Sequence, residues 1–419
     1  MGQKGSPRYR KVATGALFCL EIPKTMNTSK RIPVGILFST EGPYGTVGRA
    51  MRDGAMLALE QVNADPVFPF ELVPHERNPG GDTQAYSEYA RGLLRNEGVK
   101  HIVGCYTSSS RKEIIPAVEK YDGLLWYPSH YEGFETNSNV VYTGAVQNHH
   151  VLPLMEYVLA NVTKEIYFVG SNYVWAWENG RIIRELINAA GGRILAERYL
   201  QVDDLDVAHI IEDIHEKRPA FIMNMLIGES SYAFYRAFAK ARAENPDLAE
   251  AVIGSCTLCE PELARIGPAA CANHLSSSVY FSTVDTGANR EFVTSYRSRY
   301  GTDALPSADA EASYNAVHLL ARAVSVAGSA EIEQVKDALP ETSFEAPQGL
   351  VWIDPENNHS YLTPRLGLSR ADASFRIVFE ANAPVRPDPY LIWADAAGTG
   401  RIQPEPVIAK SGAGLRVVR

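Results

Sequence analysis

Short apolar runs rich in β-branched and aromatic residues alternate along this chain with amphipathic stretches of helical period. The apolar runs predict strands over residues 32–39, 70–75, 101–106, 124–128, 140–144, 165–170, 193–200, 221–226, 251–256 and 277–281. The periodic stretches predict helices over 47–63, 83–96, 111–121, 180–190, 207–217 and 230–243. Asp82 or Thr83 caps the second helix and Gly98 closes it. Strict strand–helix alternation argues for parallel sheets covered by helices, because a parallel neighbour is reached only through a long crossover. The alternation runs twice, over 31–145 and 164–283, without sequence repetition between the halves. From 289 to 340 the pattern turns mostly helical (290–300, 308–328, 331–339). Beyond Ala346 it breaks into short strands and turns, with Asn357-Asn358-His359 predicting a hairpin between 350–353 and 360–362. The Ala- and Gly-rich stretch 396–419 reads as a flexible C-terminal tail.

At 419 residues and 45% hydrophobic composition the chain can fill more than one full-sized core. Its net charge of −9 argues against direct binding to nucleic acid or an anionic membrane. No apolar run approaches the roughly 18–20 residues of a membrane span, so no membrane insertion is expected. Lys4, Arg8, Arg10 and Lys11 precede an apolar piece at 12–20 that superficially resembles an export signal, but the piece is short and no small-x-small cleavage site follows. We read residues 1–30 as a disordered or non-native extension, with the first strand beginning near Arg31 and Met26 as an alternative start. The expected location is cytoplasmic, the periplasm being the alternative. The five cysteines (Cys19, Cys105, Cys256, Cys259, Cys271) form an odd set without a repeated framework, which fits a reducing compartment.

Candidate chemistry concentrates where the apolar runs end. Tyr106 and Ser108, Tyr127 and Ser129, Ser171-Asn172-Tyr173, Ile227-Gly228 and Thr257 each follow such a run, and none of them carries a formal charge. In open α/β sheets ligands sit just outside the carboxyl ends of the strands. A carboxylate or phosphate ligand would call for a counter-charge there. A neutral amide needs donors near its carbonyl and acceptors near its nitrogen, and Ser, Thr and Tyr hydroxyls supply both. Taken singly, each of these residues could equally be a loop residue capping the next helix. In Tyr173-Val174-Trp175-Ala176-Trp177 three large aromatics alternate, which reads as a pocket wall with the Trp175 indole N–H offered to a carbonyl. Asn78-Pro79-Gly80-Gly81-Asp82 lacks the residues of a phosphate loop and reads as a turn into a capped helix. His149-His150 has no third ligand nearby, and Cys256-Thr257-Leu258-Cys259 has no second pair to complete a zinc site. No carboxylate pair or nucleophile elbow marks a catalytic centre, so no enzyme, metal or cofactor is expected. An α/β redox enzyme using Cys256 and Cys259 is the outlying reading.

Several stretches carry a family likeness: Gly35-Ile36-Leu37-Phe38-Ser39, 78–82, 103–106, 127–135, Gly170-Ser171-Asn172-Tyr173, 280–286, Ala346-Pro347-Gln348-Gly349 and Val385-Arg386-Pro387-Asp388-Pro389-Tyr390. Together, over about 32–393, they resemble the type I periplasmic-binding-protein fold and, within it, the amide/urea branch. That branch includes the amide-sensing negative regulators of aliphatic amidase and the urea and short-chain-amide binding components of ABC transporters. The resemblance implies an α/β fold of two lobes, each a parallel sheet flanked by helices, closing on a ligand. One lobe would take 31–145 with 284–348 and the other 146–283 with 349–395, with three crossings near 144–147, 281–285 and 348–353. Residues matching Tyr106, Ser108, Tyr127, Ser129 and Tyr173 line the amide site in such sensors, joined by Ile227 and Thr257 from the second lobe. The implied function is a cytoplasmic sensor that regulates amidase expression, holding an RNA-binding antitermination protein inactive until a small amide binds. The alternative is a solute-binding component that delivers amide or urea to an ABC permease; self-association stays open in both. Two departures touch the pocket: Trp175-Ala176-Trp177 replaces a Tyr followed by Pro-Arg, and Ser129-His130 replaces Thr-Pro.

Overall fold

A computed structural model describes residues 30–392 and a strand pair at Ile408–Ser411 and Gly414–Val417. Apart from Lys30 and that pair, the expectations for 1–30 and 396–419 lie outside the described residues. The chain opens with β1 (Lys30–Leu37), α1 (Gly45–Ala64), β2 (Phe70–Arg77), α2 (Thr83–Asn96), β3 (His101–Gly104), α3 (Ser108–Lys120), β4 (Leu124–Tyr127) and β5 (Val140–Tyr142). These five strands pair in the order β2-β1-β3-β4-β5, every neighbour parallel. Next come α4 (Val151–Asn161), β6 (Glu165–Ser171), α5 (Val174–Ala189), β7 (Arg193–Leu200), α6 (Ala208–Lys217), β8 (Phe221–Met225), α7 (Gly228–Glu244), β9 (Val252–Ser255), α8 (Glu260–Ile266) and β10 (Leu275–Ser278). Helices α9 (Gly287–Tyr300), α10 (Ala308–Ala327) and α11 (Ile332–Ala338) follow, then β11 (Ser343–Ala346), β12 (Gly349–Ile353), β13 (Ser360–Tyr361), β14 (Arg365–Ser369) and β15 (Phe375–Glu380). The second sheet runs β15-β14-β10-β9-β8-β6-β7.

The two-lobed α/β fold is therefore the architecture of this chain, with one refinement. Strands β14 and β15 join the second sheet antiparallel, so its far edge departs from the parallel rule. Central strands β3, β4, β8 and β9 are buried along their whole length, as sheets covered on both faces require. Helix α10 returns to the first lobe and lies so close to α1 that a Cβ on Gly54 would collide with the Ala310 carbonyl. Strands β11, β12 and β13 form a small antiparallel sheet that includes the predicted hairpin, and His359 bridges to Tyr142 beside β5. The expected cap is present: Asp82 Oδ1 accepts from the Gln84 amide at 2.8 Å.

Several predicted boundaries moved, and two of them bear on the cleft. Strand β10 ends at Ser278 rather than 281, because the chain leaves the sheet there to cross between lobes. Helix α5 begins at Val174, six residues before the expected start. The alternating aromatics disguised its first turn: Trp175 is buried while Trp177, two positions on, is 48% exposed, as residues on different sides of a helix should be.

Candidate functional site

The strand ends of the two sheets face each other across a cleft. After β3, Cys105 adopts a left-handed backbone (φ 67°), which turns the chain sharply before Tyr106. Thr107 then caps α3, its hydroxyl accepting from the Ser110 amide at 3.2 Å. In the second lobe, Tyr173 and Ile227 stand at the N-cap positions of α5 and α7 without a side-chain capping bond. The first turns of these helices present amide N–H groups and partial positive charge, which suit an acceptor oxygen. The cleft is closed. Gly228 (φ 61°) lies so near the first-lobe loop that a Cβ there would collide with the Pro43 carbonyl oxygen.

Tyr106, Ser108, Ser129 and His130 from one lobe enclose a cavity with Tyr173 and Trp175 from the other. Five of the eight sequence-predicted positions thus meet. The space open to the centre of a water-sized sphere is about 10 Å³, enough for one water. Thr257 borders a neighbouring void of about 10 Å³ with His130, Cys256, Cys259, Tyr280 and Asp309. Tyr127 lies one layer below, its hydroxyl donating to the Tyr106 carbonyl at 2.9 Å. Ile227 is buried at the head of α7, its amide donating to Ser171 Oγ at 3.1 Å, and borders neither cavity. A larger hollow of about 600 Å³ lies elsewhere, open to solvent between α9, α10 and β11.

Charge is the feature that strand-end reasoning missed. Arg111 is fully buried on α3 and donates from Nε to Glu135 Oε1 at 2.8 Å, with Nη2 3.3 Å from Glu132 Oε1. Its guanidinium also stacks on the rings of Tyr127 and Tyr131, at 4.7 and 4.4 Å from their centres. Burial alone would push Glu135 up, but Arg111 and Lys112 outweigh it and hold the carboxyl at about 2. Ser108 Oγ donates to Glu132 Oε2, so a buried carboxylate stands directly behind a predicted ligand contact. The signal was available: Ser108 and Arg111 are three apart on one helix face, and Glu132 and Glu135 lie in the quoted 127–135 stretch.

A second polar group spans from β4 to α10. His130 Nδ1 lies 3.2 Å from Asp309 Oδ1, and its ring meets those of Tyr106, His150 and Trp175 edge-on at 6.2, 6.0 and 5.6 Å. Burial, reinforced by nearby carboxylates, pushes the Tyr106 and Tyr173 phenols well above their ordinary range, so both remain neutral donors and acceptors. Burial also raises Glu262 to about 8, where the Tyr232 hydroxyl contacts it at 3.1 Å. Cys256 and Cys259 are free and buried, and burial pushes both thiols up, away from the reactive thiolate. That environment removes the physical basis for the redox reading. The wall offers a small polar molecule hydrogen-bonding groups from both lobes.

A family model described as periplasmic binding protein domain matches residues 32–395. Among solved structures, the solute binding protein of an ABC transporter from Rhodopseudomonas palustris HaA2, in complex with p-hydroxybenzoic acid, superposes with a TM-score of 0.77. The two are 18% identical, over 87% of this chain and 99% of that one. The branched-chain amino acid transporter substrate binding protein of Streptococcus pneumoniae, in complex with isoleucine, gives a TM-score of 0.70 at 19% identity, over 85% and 100%. A leucine binding protein from Thermotoga maritima gives 0.72 at 16% identity, over 83% and 98%. Limonene hydroxylase of Geobacillus stearothermophilus is 28% identical over 120 residues, which is 29% of this chain and only 22% of that protein. The structural likenesses carry the fold; the family match spans both lobes and the cleft between them. This chain belongs to the periplasmic binding protein domain family.

Proposed function

We propose that this protein captures a small neutral molecule of the amide or urea class between its lobes, as the solute-binding component of an ABC transporter. One observation carries the ligand class: the cavity wall is hydroxyl, phenol, indole and imidazole, and the nearby Arg111 guanidinium is committed to Glu132, Glu135 and the Ser108 hydroxyl. An acid such as those held by two of the structural neighbours needs a counter-charge, and here Glu132 would repel it. An amide carbonyl suits the amide-rich first turn of α5 beside Tyr173 and Trp175, and its nitrogen suits the hydroxyl oxygens, among them that of Ser108, whose proton goes to Glu132. The transport role draws support from the solute-binding proteins among the structural neighbours. The amidase-regulator role and its antitermination partner rest on the likeness of 127–135 and 386–390 alone.

Titration calorimetry against formamide, acetamide, propionamide, butyramide, urea, 4-hydroxybenzoate and isoleucine tests the ligand class. Heat of binding with amides or urea and none with the acids is the expected result; binding of the acids alone overturns it. Uptake of the labelled ligand by cells with and without this gene tests the role. Lost uptake is expected, while unchanged uptake with altered amidase expression would transfer the assignment to the regulator.

A further inference from the structure

Resting on the amide-or-urea reading of the cleft, we propose that His130 decides which member of that class is accepted, by presenting a ring nitrogen that only accepts hydrogen bonds. His130 borders the Tyr106–Trp175 cavity, the void beside Thr257, and a third void of about 20 Å³ lined by His150, Ser277 and Asp309. Among the described residues no other borders all three. Its Nδ1 faces Asp309 Oδ1 at 3.2 Å. Asp309 lies in the first turn of α10, where the helix terminus favours a carboxylate. A carboxylate only accepts, so in the neutral imidazole the proton sits on Nδ1 and Nε2 keeps its lone pair. Three aromatic rings wedge the imidazole, which holds that nitrogen in place.

Other walls also have fixed polarity. Trp175 Nε1 is a buried donor without a hydrogen-bond partner among the described residues. Ser108 gives its hydroxyl proton to Glu132 behind it, so its oxygen is left to the cavity as an acceptor. Ser129 Oγ donates to the His130 carbonyl at 3.2 Å and likewise leaves its oxygen as an acceptor, while the hydroxyls of Tyr106 and Tyr173 can turn either way. With His130 the site therefore offers three fixed acceptors and one fixed donor. A carbonyl flanked by two N–H-bearing nitrogens satisfies all four, as in urea. An alkyl amide of the same size places a methyl group against Nε2 and leaves a desolvated acceptor unpaired. A site built to pair a ligand N–H rejects the analogue lacking it by at least about tenfold. His130 thus sets specificity by direct contact, and Asp309 acts through it as a positioning residue.

The test is calorimetry of the full chain with urea and with acetamide, for the natural protein and for His130→Leu, His130→Gln and Asp309→Asn. The natural protein is expected to bind urea at least tenfold more tightly than acetamide. His130→Leu brings that ratio close to one, Asp309→Asn lowers it, and His130→Gln, which carries an amide oxygen to about the same place, retains it. A natural ratio near one, or a ratio unmoved in His130→Leu, overturns the role of His130 and leaves the cleft reading standing. Silence of the natural protein toward both ligands overturns the cleft reading and this inference together. Should His130→Leu fail to fold, the other two variants decide: a ratio unchanged by Asp309→Asn, or lost in a folded His130→Gln, overturns it.

Discussion

Arg111, with no solvent exposure, holds Glu132 and Glu135 together beneath the cleft and presses on two tyrosine rings. Arg111→Met leaves two carboxylates facing each other in a low-dielectric site, and stability is expected to fall by about 3–5 kcal/mol. Arg111→Lys restores little, since a point charge cannot span both carboxylates and the rings as a planar fork does. Denaturant melts of both variants measure this. Buried carboxyls elsewhere set the pH response. Burial raises Glu260 and Glu311 to about 7 and Glu262 to about 8, so their contribution is full below about 4.5 and is lost as pH rises through 7 to 8. Glu135, held at about 2, has the opposite sign: its contribution is present above about 4.5 and fades below it. Melting temperature is therefore expected to peak near pH 5 and to fall toward pH 8.5, with a shallower fall in Glu262→Gln. At this scale the sequence disclosed what is local. Tyr106, Ser108, Ser129 and Tyr173 betray themselves as polar residues just past an apolar run, whereas Asp309 reaches His130 across 179 positions and no local pattern could pair them.

Helix starts do the positioning, and Gly228 shows how narrow the tolerance is. It opens α7 at φ 61°, and its missing Cβ lets Pro43 of the other lobe approach. Gly228→Ala adds both a left-handed strain and a collision with backbone, which is relieved by parting the lobes. Ligand affinity is expected to drop at least tenfold, while unfolding of the unliganded protein shifts by only about 1 kcal/mol. Calorimetry beside a melt without ligand separates these, and equal losses in both would mean that Gly228 serves the fold rather than closure. Elements with a clean period were legible before any coordinates: α2 runs over Thr83–Asn96 as its repeat and its Asp82 cap require. The start of α5 was not, because Trp175 and Trp177 imitate a strand's alternation. Nor was the antiparallel edge of β14 and β15, since the direction of a paired strand depends on a connection and not on its own residues.

At the scale of the whole molecule, the closed cleft and the size of its cavity set the kinetics of binding. Room for one water neither admits nor encloses a four-atom ligand, so capture must pass through a state with the lobes parted and end in a closed form slightly wider than this one. The best small ligands gain about 1.5 kcal/mol per heavy atom, which limits a four-atom ligand to about −6 kcal/mol, or tens of micromolar. At a hundredfold excess over that constant, binding stabilises the closed form by about 2.7 kcal/mol, enough to raise the melting temperature measurably. Closure is the step that completes the site, because Tyr173 and Trp175 reach the ligand only when the second lobe arrives. The observed rate of association, followed by tryptophan fluorescence in rapid mixing, is therefore expected to level off at high ligand concentration, where lobe movement becomes limiting. Gly228→Ala should lower that plateau's amplitude, since fewer molecules complete closure. A rate that instead climbs in proportion to ligand at every concentration would mean that the ligand enters a ready-made pocket, and the closed cleft would then owe nothing to binding.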